Sequence, residues 1–226
     1  MKDGQRGNII FYVLIGIVLI GLLTMAVRNS GGMKDNINTE DLGLKAAQIQ
    51  RYGAALAQSV AILSDHHISE SDLRFAHPDA ANDYGLITDD PTRQIFAKEG
   101  GKAAYNPPPA GVNDGSHWEF FATTAIPQIG SDKADLVAVL PHVTAEFCAV
   151  MNTQLGFAAG SQPTDPGSGS PTCIMGGASD RFDGTFNDSA PHELDDASFS
   201  KLPAYQACVE CTTDNSYHYF YVLMAR

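Results

Sequence analysis

The sequence has little positive charge. It contains 14 Lys and Arg residues against 26 Asp and Glu residues, for a formal net charge of −12. The first 28 residues carry a net charge of +2, from Lys2, Arg6, Arg28 and Asp3, so residues 29–226 carry −14. Nucleic acids and anionic lipid headgroups are bound by clustered Lys and Arg side chains. The composition therefore argues against both classes of partner.

Local catalytic motifs are also missing. The chain has no G-x-S-x-G, no H-E-x-x-H and no phosphate-binding P-loop. Five histidines are scattered without a local pattern that would assign them a role: His77, His117, His142, His192 and His218. We therefore predict that the protein is not an enzyme, and we assign no catalytic residue and no cofactor.

Cysteine is scarce, and the four residues present are Cys148, Cys173, Cys208 and Cys211. An even number favours two disulfides on the far side of a membrane, where thiols oxidise. Three pairings are possible, and the spacing does not choose among them. The alternative is a zinc site built around Cys208-x-x-Cys211, but structural zinc sites usually combine two such pairs.

One long apolar run stands out. Residues 8–27 contain 20 residues without a charged side chain, the length that crosses a hydrocarbon core as a helix. A secretory signal peptide would have a shorter apolar core and a small-x-small cleavage site, which is absent here. A plain single-pass anchor and a segment that later leaves the membrane both remain open.

The junction before this run is distinctive. A short leader with Lys2 and Arg6 ends in Gly7, and the apolar run follows directly. This segment resembles the N-terminus of type IV pilin and pseudopilin precursors. The resemblance covers about the first 30 residues. Tyr12 stands where the family usually has Glu, a carboxylate that some minor, tip-located pseudopilins also lack, and Asn8 stands where Phe or Met is usual.

The resemblance implies a function and a set of partners. A prepilin peptidase would cut between Gly7 and Asn8, and the new amine would be methylated. The chain would wait in the inner membrane and then enter a periplasmic or extracellular filament, as in type IV pili or type II secretion. Its partners would be copies of itself or other pilin-like subunits, together with the assembly machinery. The implied assembly positions are Ile9, Phe11, Tyr12, Leu14, Ile17 and Leu22.

The remaining chain is predicted to form a globular head. We divide it into a leader (1–7), a transmembrane or filament-core helix (8–28), a linker with an amphipathic helix (29–65), and an extracytoplasmic head (66–226) with a long loop (157–207). Apolar residues recur at helical spacing over 40–64, and Thr39 is the expected N-cap. We expect this half-buried helix to pack against the head.

Three segments of the head have strand character. Residues 118–123 and 134–140 are predicted to pair antiparallel, and the apolar run 217–225 is expected at the centre of the sheet. A helix is predicted over 142–155, with Gly156 as its stop. The fold-class prediction is α+β: a long N-terminal helix with an apolar and an amphipathic half, carrying a small antiparallel sheet in a disulfide-stapled head.

The sequence also contains two possible ligand sites and is compatible with a competing function. Asp180, Asp183, Asn187 and Asp188 could offer oxygen ligands to calcium, although a solvated acidic loop is the simpler interpretation. Trp118, Phe120 and Phe121 could form a platform for a sugar, but core packing is the favoured interpretation. The competing function is an uncleaved, single-pass binding module outside the cytoplasm.

Overall fold

The computed structural model describes residues 32–80, 84–167 and 173–226, together with Ile17 and Ile20. The chain divides into two compact units, residues 1–41 and residues 42–226. Ile17 and Ile20 are helical and exposed. The other predicted assembly and processing positions lie outside the described residues: Gly7, Asn8, Ile9, Phe11, Tyr12, Leu14 and Leu22. Among the described helices, none is both long enough and apolar enough to span a bilayer.

The described elements are two α-helices, six strands and several short 3-10 turns. In chain order they are α1 (Gly32–Asp65), β1 (Glu119–Ala125), β2 (Asp135–Leu140), α2 (Ala145–Leu155), β3 (Thr164–Asp165), β4 (His192–Glu193), β5 (Gln206–Cys211) and β6 (Ser216–Met224).

The six strands form one mixed sheet that curls into a nearly closed barrel, in the order β3-β5-β6-β2-β1-β4. The four longer strands pair antiparallel, whereas β3 and β4 add to opposite edges in parallel. The predicted fold class was therefore wrong in two respects. The sheet is neither small nor purely antiparallel, and the described part of the chain contains no long apolar helix.

The reason for the error lies in the loop 157–207. Its strands β3 and β4 have two residues each, too few to show the alternation that marks a strand. The strand β5 has the sequence QACVEC, whose Cys-x-x-Cys spacing is typical of a metal-binding turn as well as of a disulfide-bonded strand. The positions of the other strands were predicted correctly to within two residues, including β6 at the centre of the sheet.

Helix α1 follows the predicted apolar stripe. Ala46, Ile49, Leu56, Val60 and Leu63 are all buried, as one face of an amphipathic helix requires. The helix begins at Gly32, so Thr39 lies inside it and the predicted N-cap was wrong. Residues 73–75 contribute only an isolated bridge between Arg74 and Gln94.

The two faces of the sheet bury separate clusters, because side chains alternate across a strand. In β2, Leu136, Ala138 and Leu140 face the helix-side core, whereas Val137 and Val139 face the barrel core. The helix-side core also contains Ile49, Leu56, Trp118, Phe120, Phe147 and Tyr219. The barrel core also contains Phe121, Ile129, Ile174, Leu194, Phe199, Val209 and Phe220.

Two disulfides fasten the C-terminal half. Cys148 on α2 is bonded to Cys208 on β5, and Cys173 is bonded to Cys211 at the end of β5. The predicted disulfide-stapled head is thereby confirmed, and the pairing that the sequence left open is assigned. Because all four sulfurs are bonded in pairs, no thiolate remains for the alternative zinc site.

Helix α2 also satisfies the exposed backbone edge of β5. The Asn152 side-chain amide donates to the Cys208 carbonyl and accepts from the Cys208 backbone N–H, both at 2.9 Å. This reciprocal pair imitates a neighbouring strand at a point that β3 does not reach. The helix begins after Thr144, whose side chain caps Phe147 N–H, and ends at Gly156 as predicted.

The approach of α1 to β6 predicts opposite outcomes for two glycine substitutions. A Cβ at Gly53 would lie 2.6 Å from Tyr221 Cγ, whereas a Cβ at Gly43 would meet only the end of Gln154. We expect Gly53→Ala to destabilise the fold by about 1–3 kcal/mol through overpacking, despite the better helix propensity of alanine. Gly43→Ala, the matched control, should be neutral or stabilising by up to about 1 kcal/mol. Urea unfolding of both variants measures the difference, and equal effects would contradict this packing.

Candidate functional site

A groove lies between α1 and the proline-rich segment 106–109. Its volume is about 370 Å³, within the range of small-ligand pockets. The wall on α1 is formed by Gln48, Ile49, Arg51, Tyr52 and Ala55, and the opposite wall by Asn106, Pro107, Pro109 and Trp118. The lining is mainly apolar, with the exposed polar residues Gln48, Arg51 and Asn106 around it.

The helix and the prolines explain the shape of this groove. Gln48, Arg51 and Ala55 are three and four residues apart, so they share one face of α1. Proline fixes φ and favours an extended backbone, so Pro107 and Pro109 form a stiff wall. Tyr52 and Trp118 form the floor, with ring centroids 5.3 Å apart and planes tilted by 59°.

The polar groups around the groove are free to bind. Within the described residues, the side chains of Gln48, Arg51 and Asn106 make no hydrogen bond or ion pair. The Tyr52 hydroxyl is buried, and no described group completes a hydrogen bond of good geometry with it. Burial raises the pKa of Tyr52, and an interaction with the Asn106 backbone partly offsets that effect. The hydroxyl is therefore protonated at neutral pH.

A second polar cluster lies at the start of β6 and contains serine, histidine and aspartate. The His142 backbone N–H donates to Nδ1 of His218 at 3.3 Å, which assigns the proton of His218 to Nε2. Nε2 then donates to Ser216 Oγ at 2.7 Å, and Ser216 Oγ donates to Asp214 Oδ1 at 2.6 Å. Burial, reinforced by nearby His142, lowers the pKa of His218 to about 4, so the ring is neutral at pH 7.

This order of hydrogen bonds does not activate a nucleophile. In a hydrolase triad the histidine accepts the serine proton, whereas here His218 donates to Ser216. Asp214 contacts Ser216 rather than the histidine. We interpret the cluster as structural, because its hydrogen bonds connect the start of β6 to the backbone that follows β2. The expectation that the chain is not an enzyme stays a prediction.

A third cluster closes the barrel. Asp165 on β3 and His192 on β4 lie on opposite edges of the sheet, and their side chains are joined by a 2.7 Å contact from Nε2 to Oδ1. Both side chains are fully buried. Asp195, just beyond β4, adds a backbone hydrogen bond to the Thr164 carbonyl. The role of this pair is to hold together two edges that would otherwise be open.

The four calcium candidates each have a partner within the protein. Asp180 accepts from Gly177 N–H at 2.7 Å, and Asp183 accepts from Thr185 N–H at 2.9 Å. Asn187 donates to the Ala190 carbonyl, and Asp188 binds Arg226 Nη1 at 2.6 Å. In the part of the chain that the structure describes, no group of three or more His, Cys, Asp or Glu is placed to hold a metal.

The aromatic residues considered as a sugar platform belong to the core. Trp118 is 1% exposed, and Phe120 and Phe121 are fully buried. Phe120 faces the helix-side core and stacks on Phe75 with centroids 4.0 Å apart, whereas Phe121 faces the barrel core. Core packing, the interpretation favoured from the sequence, is confirmed.

Sequence reasoning missed the groove and the barrel closure. Gln48, Arg51, Pro107 and Pro109 belong to no local pattern that assigns them to a site. The sequence distance between Tyr52 and Asn106 concealed their contact. No local sequence pattern predicts the contact between Asp165 and His192.

Comparisons with known proteins add no relative. No protein-family model, curated protein or solved structure matches this chain.

Proposed function

We propose that the protein is a structural subunit of a pilin-like filament, assembled through the apolar segment 8–27. The single observation that carries this proposal is the sequence junction at Arg6-Gly7, where a short basic leader meets an uncharged run of 20 residues. The segment would hold the precursor in the inner membrane and later pack against its copies in neighbouring subunits. The subunit would then be part of a periplasmic or extracellular filament.

The head has properties that suit this role. Its two disulfides favour a location outside the cytoplasm, where thiols oxidise. The net charge of −14 over residues 29–226 favours solubility of a surface that faces water. Helix α1 is well anchored, since its apolar stripe is buried in the helix-side core.

A second candidate function is a single-pass anchored binding module. Tyr12 favours it, because the carboxylate that normally pairs with a neighbouring subunit's amine is absent. The groove beside α1 also favours it, since its polar groups have no described partner. A minor or tip subunit would combine the two functions, with assembly through the N-terminus and binding through the head.

Replacing Gly7 by leucine separates the two functions. If the peptidase cuts after Gly7, the Gly7→Leu precursor should stay in the membrane at its full mass, and filaments should be lost. Immunoblotting of membrane and sheared-filament fractions measures both effects. Gly4→Leu, in the same leader, is the control and should be processed normally. Normal assembly of the Gly7→Leu variant would contradict the filament proposal.

A further inference from the structure

The groove between α1 and residues 106–109 presents a limited set of chemical groups. Its accessible apolar surface comes mainly from Ala55, Pro107 and Pro109, because Ile49, Tyr52 and Trp118 are almost fully buried beneath them. Such a surface accepts the C–H face of a ring. A volume of about 370 Å³ accommodates one ring of six or seven heavy atoms with its substituents.

The polar groups around the groove select for a hydroxylated ligand. The exposed Gln48 and Asn106 amides can each donate and accept hydrogen bonds. A purely aliphatic or aromatic acid would leave these two amides unused, whereas a sugar ring carries hydroxyls around an apolar face.

Charge complementarity adds the acidic group. Arg51 has no described ion pair although residues 29–226 carry a net charge of −14. A guanidinium binds a carboxylate through two parallel hydrogen bonds, a geometry that a neutral sugar cannot provide. Because Arg51 lines the groove together with Pro107 and Pro109, a carboxylate there can remain attached to a ring lying against the prolines.

We propose that this groove binds a uronic-acid sugar, with its carboxylate on Arg51 and its hydroxyls on Gln48 and Asn106. The site lies entirely within the compact unit 42–226, and it does not depend on filament assembly. A free uronate and a unit of an acidic polysaccharide share this chemistry. Binding would give the head a carbohydrate ligand in addition to the proposed structural role.

The test is calorimetric titration of the full-length chain in nanodiscs of zwitterionic lipid. The probes are glucuronate, glucose, which lacks the carboxylate, and acetate, which lacks the ring. Glucuronate should bind saturably, and glucose and acetate should bind at least about tenfold more weakly, since a charge-assisted pair is worth about 1.5–3 kcal/mol. Trigalacturonate distinguishes the source: binding as tight as that of galacturonate assigns a polysaccharide, and weaker binding assigns the free sugar.

Three variants test the assignment of residues. Arg51→Gln should weaken glucuronate binding about tenfold and abolish the preference over glucose. Lys98→Gln makes the same charge change at an exposed site that does not line the groove, and it should have no effect on affinity. Gln48→Ala should weaken binding several-fold while Tm stays unchanged, because this exposed side chain has no described hydrogen bond to lose.

Three experimental results would overturn the proposal that the groove binds a uronic-acid sugar. Absence of saturable glucuronate binding by the folded wild-type chain would overturn it. Equal binding of glucose, or equal losses from Arg51→Gln and Lys98→Gln, would overturn it as well. None of these results bears on cleavage at Gly7, so failure of the sugar site and failure of the filament proposal are distinguishable.

Discussion

The Asp165→Ala variant is expected to lose about 3–5 kcal/mol of unfolding free energy, the cost of breaking a buried charged or polar pair by removing one partner. Asp165 bonds His192 through Oδ1 at 2.7 Å. The same carboxylate accepts from Gly167 N–H at 3.1 Å and from Ile174 N–H at 2.6 Å. One substitution therefore leaves three donors without their acceptor, two of them in or beside the barrel core.

The location of Asp165 makes the effect large. Its strand β3 has only two residues, so few ladder hydrogen bonds hold that edge. Without the contact to His192 on β4, the two edges of the sheet would be free to separate. We expect the segment 157–207 to open first, which hydrogen exchange would detect at Ile174 and Leu194.

Urea unfolding of Asp165→Ala, His192→Ala and the double variant measures the pair. The double variant should cost clearly less than the two single losses combined, because both remove the same interaction. Asp132→Ala, at an exposed position, is the control and should change stability by no more than about 0.5 kcal/mol. Additive losses would mean that the two side chains stabilise the fold independently and do not close the barrel together.

Removal of the Cys148–Cys208 disulfide should destabilise the fold by roughly 2–4 kcal/mol. The bond closes a segment with a sequence separation of 60, so its loss frees much conformational entropy in the unfolded chain. It also loosens α2 from β5, where Asn152 pairs with the Cys208 backbone. The double substitution Cys148→Ala with Cys208→Ala avoids leaving a reactive thiol.

Thermal unfolding with and without reductant provides the measurement. Reductant should lower the Tm of the wild-type protein more than that of the Cys148→Ala, Cys208→Ala variant, which retains only Cys173–Cys211. The second bond spans a separation of 38, so its own loss should have a similar or slightly smaller effect. An unchanged wild-type Tm under conditions shown by thiol titration to reduce both bonds would contradict this account.

The elements that sequence predicted well share one property, which is strong local periodicity. Helix α1 was recognised because Ile49, Leu56 and Leu63 recur every seven residues and stay on one face. The central strand β6 was recognised because nine residues in succession are β-prone and mostly buried. In both, the local pattern and the tertiary packing favour the same structure, so no information from distant residues was needed.

The elements that sequence missed depend on distant partners. Thr164 and Asp165 form a strand only because β5 offers its edge to them. His192 has no local signal, and its role comes from a partner 27 residues away. The disulfide pairing was equally hidden, since four cysteines permit three arrangements and only the approach of α2 to β5 selects one.

The groove had no local signal in the sequence, since neither Arg51 nor Pro107 belongs to a pattern that assigns it to a site. Their meeting around Tyr52 depends on how the long connection between α1 and β1 folds back onto the helix. Gln94 stabilises that connection, because its buried side chain bonds the backbone at Ala76, Leu86 and Asp89.

The measurement that tests the central claim most directly is the intact mass and N-terminal sequence of the protein purified from its native cell. The filament account predicts a chain that begins at Asn8, with the mass of one added methyl group on its amine. A chain that begins at Met1 would contradict the account and favour an uncleaved membrane anchor. A chain that begins beyond Val27 would also contradict it, because the segment proposed for assembly would then have been removed.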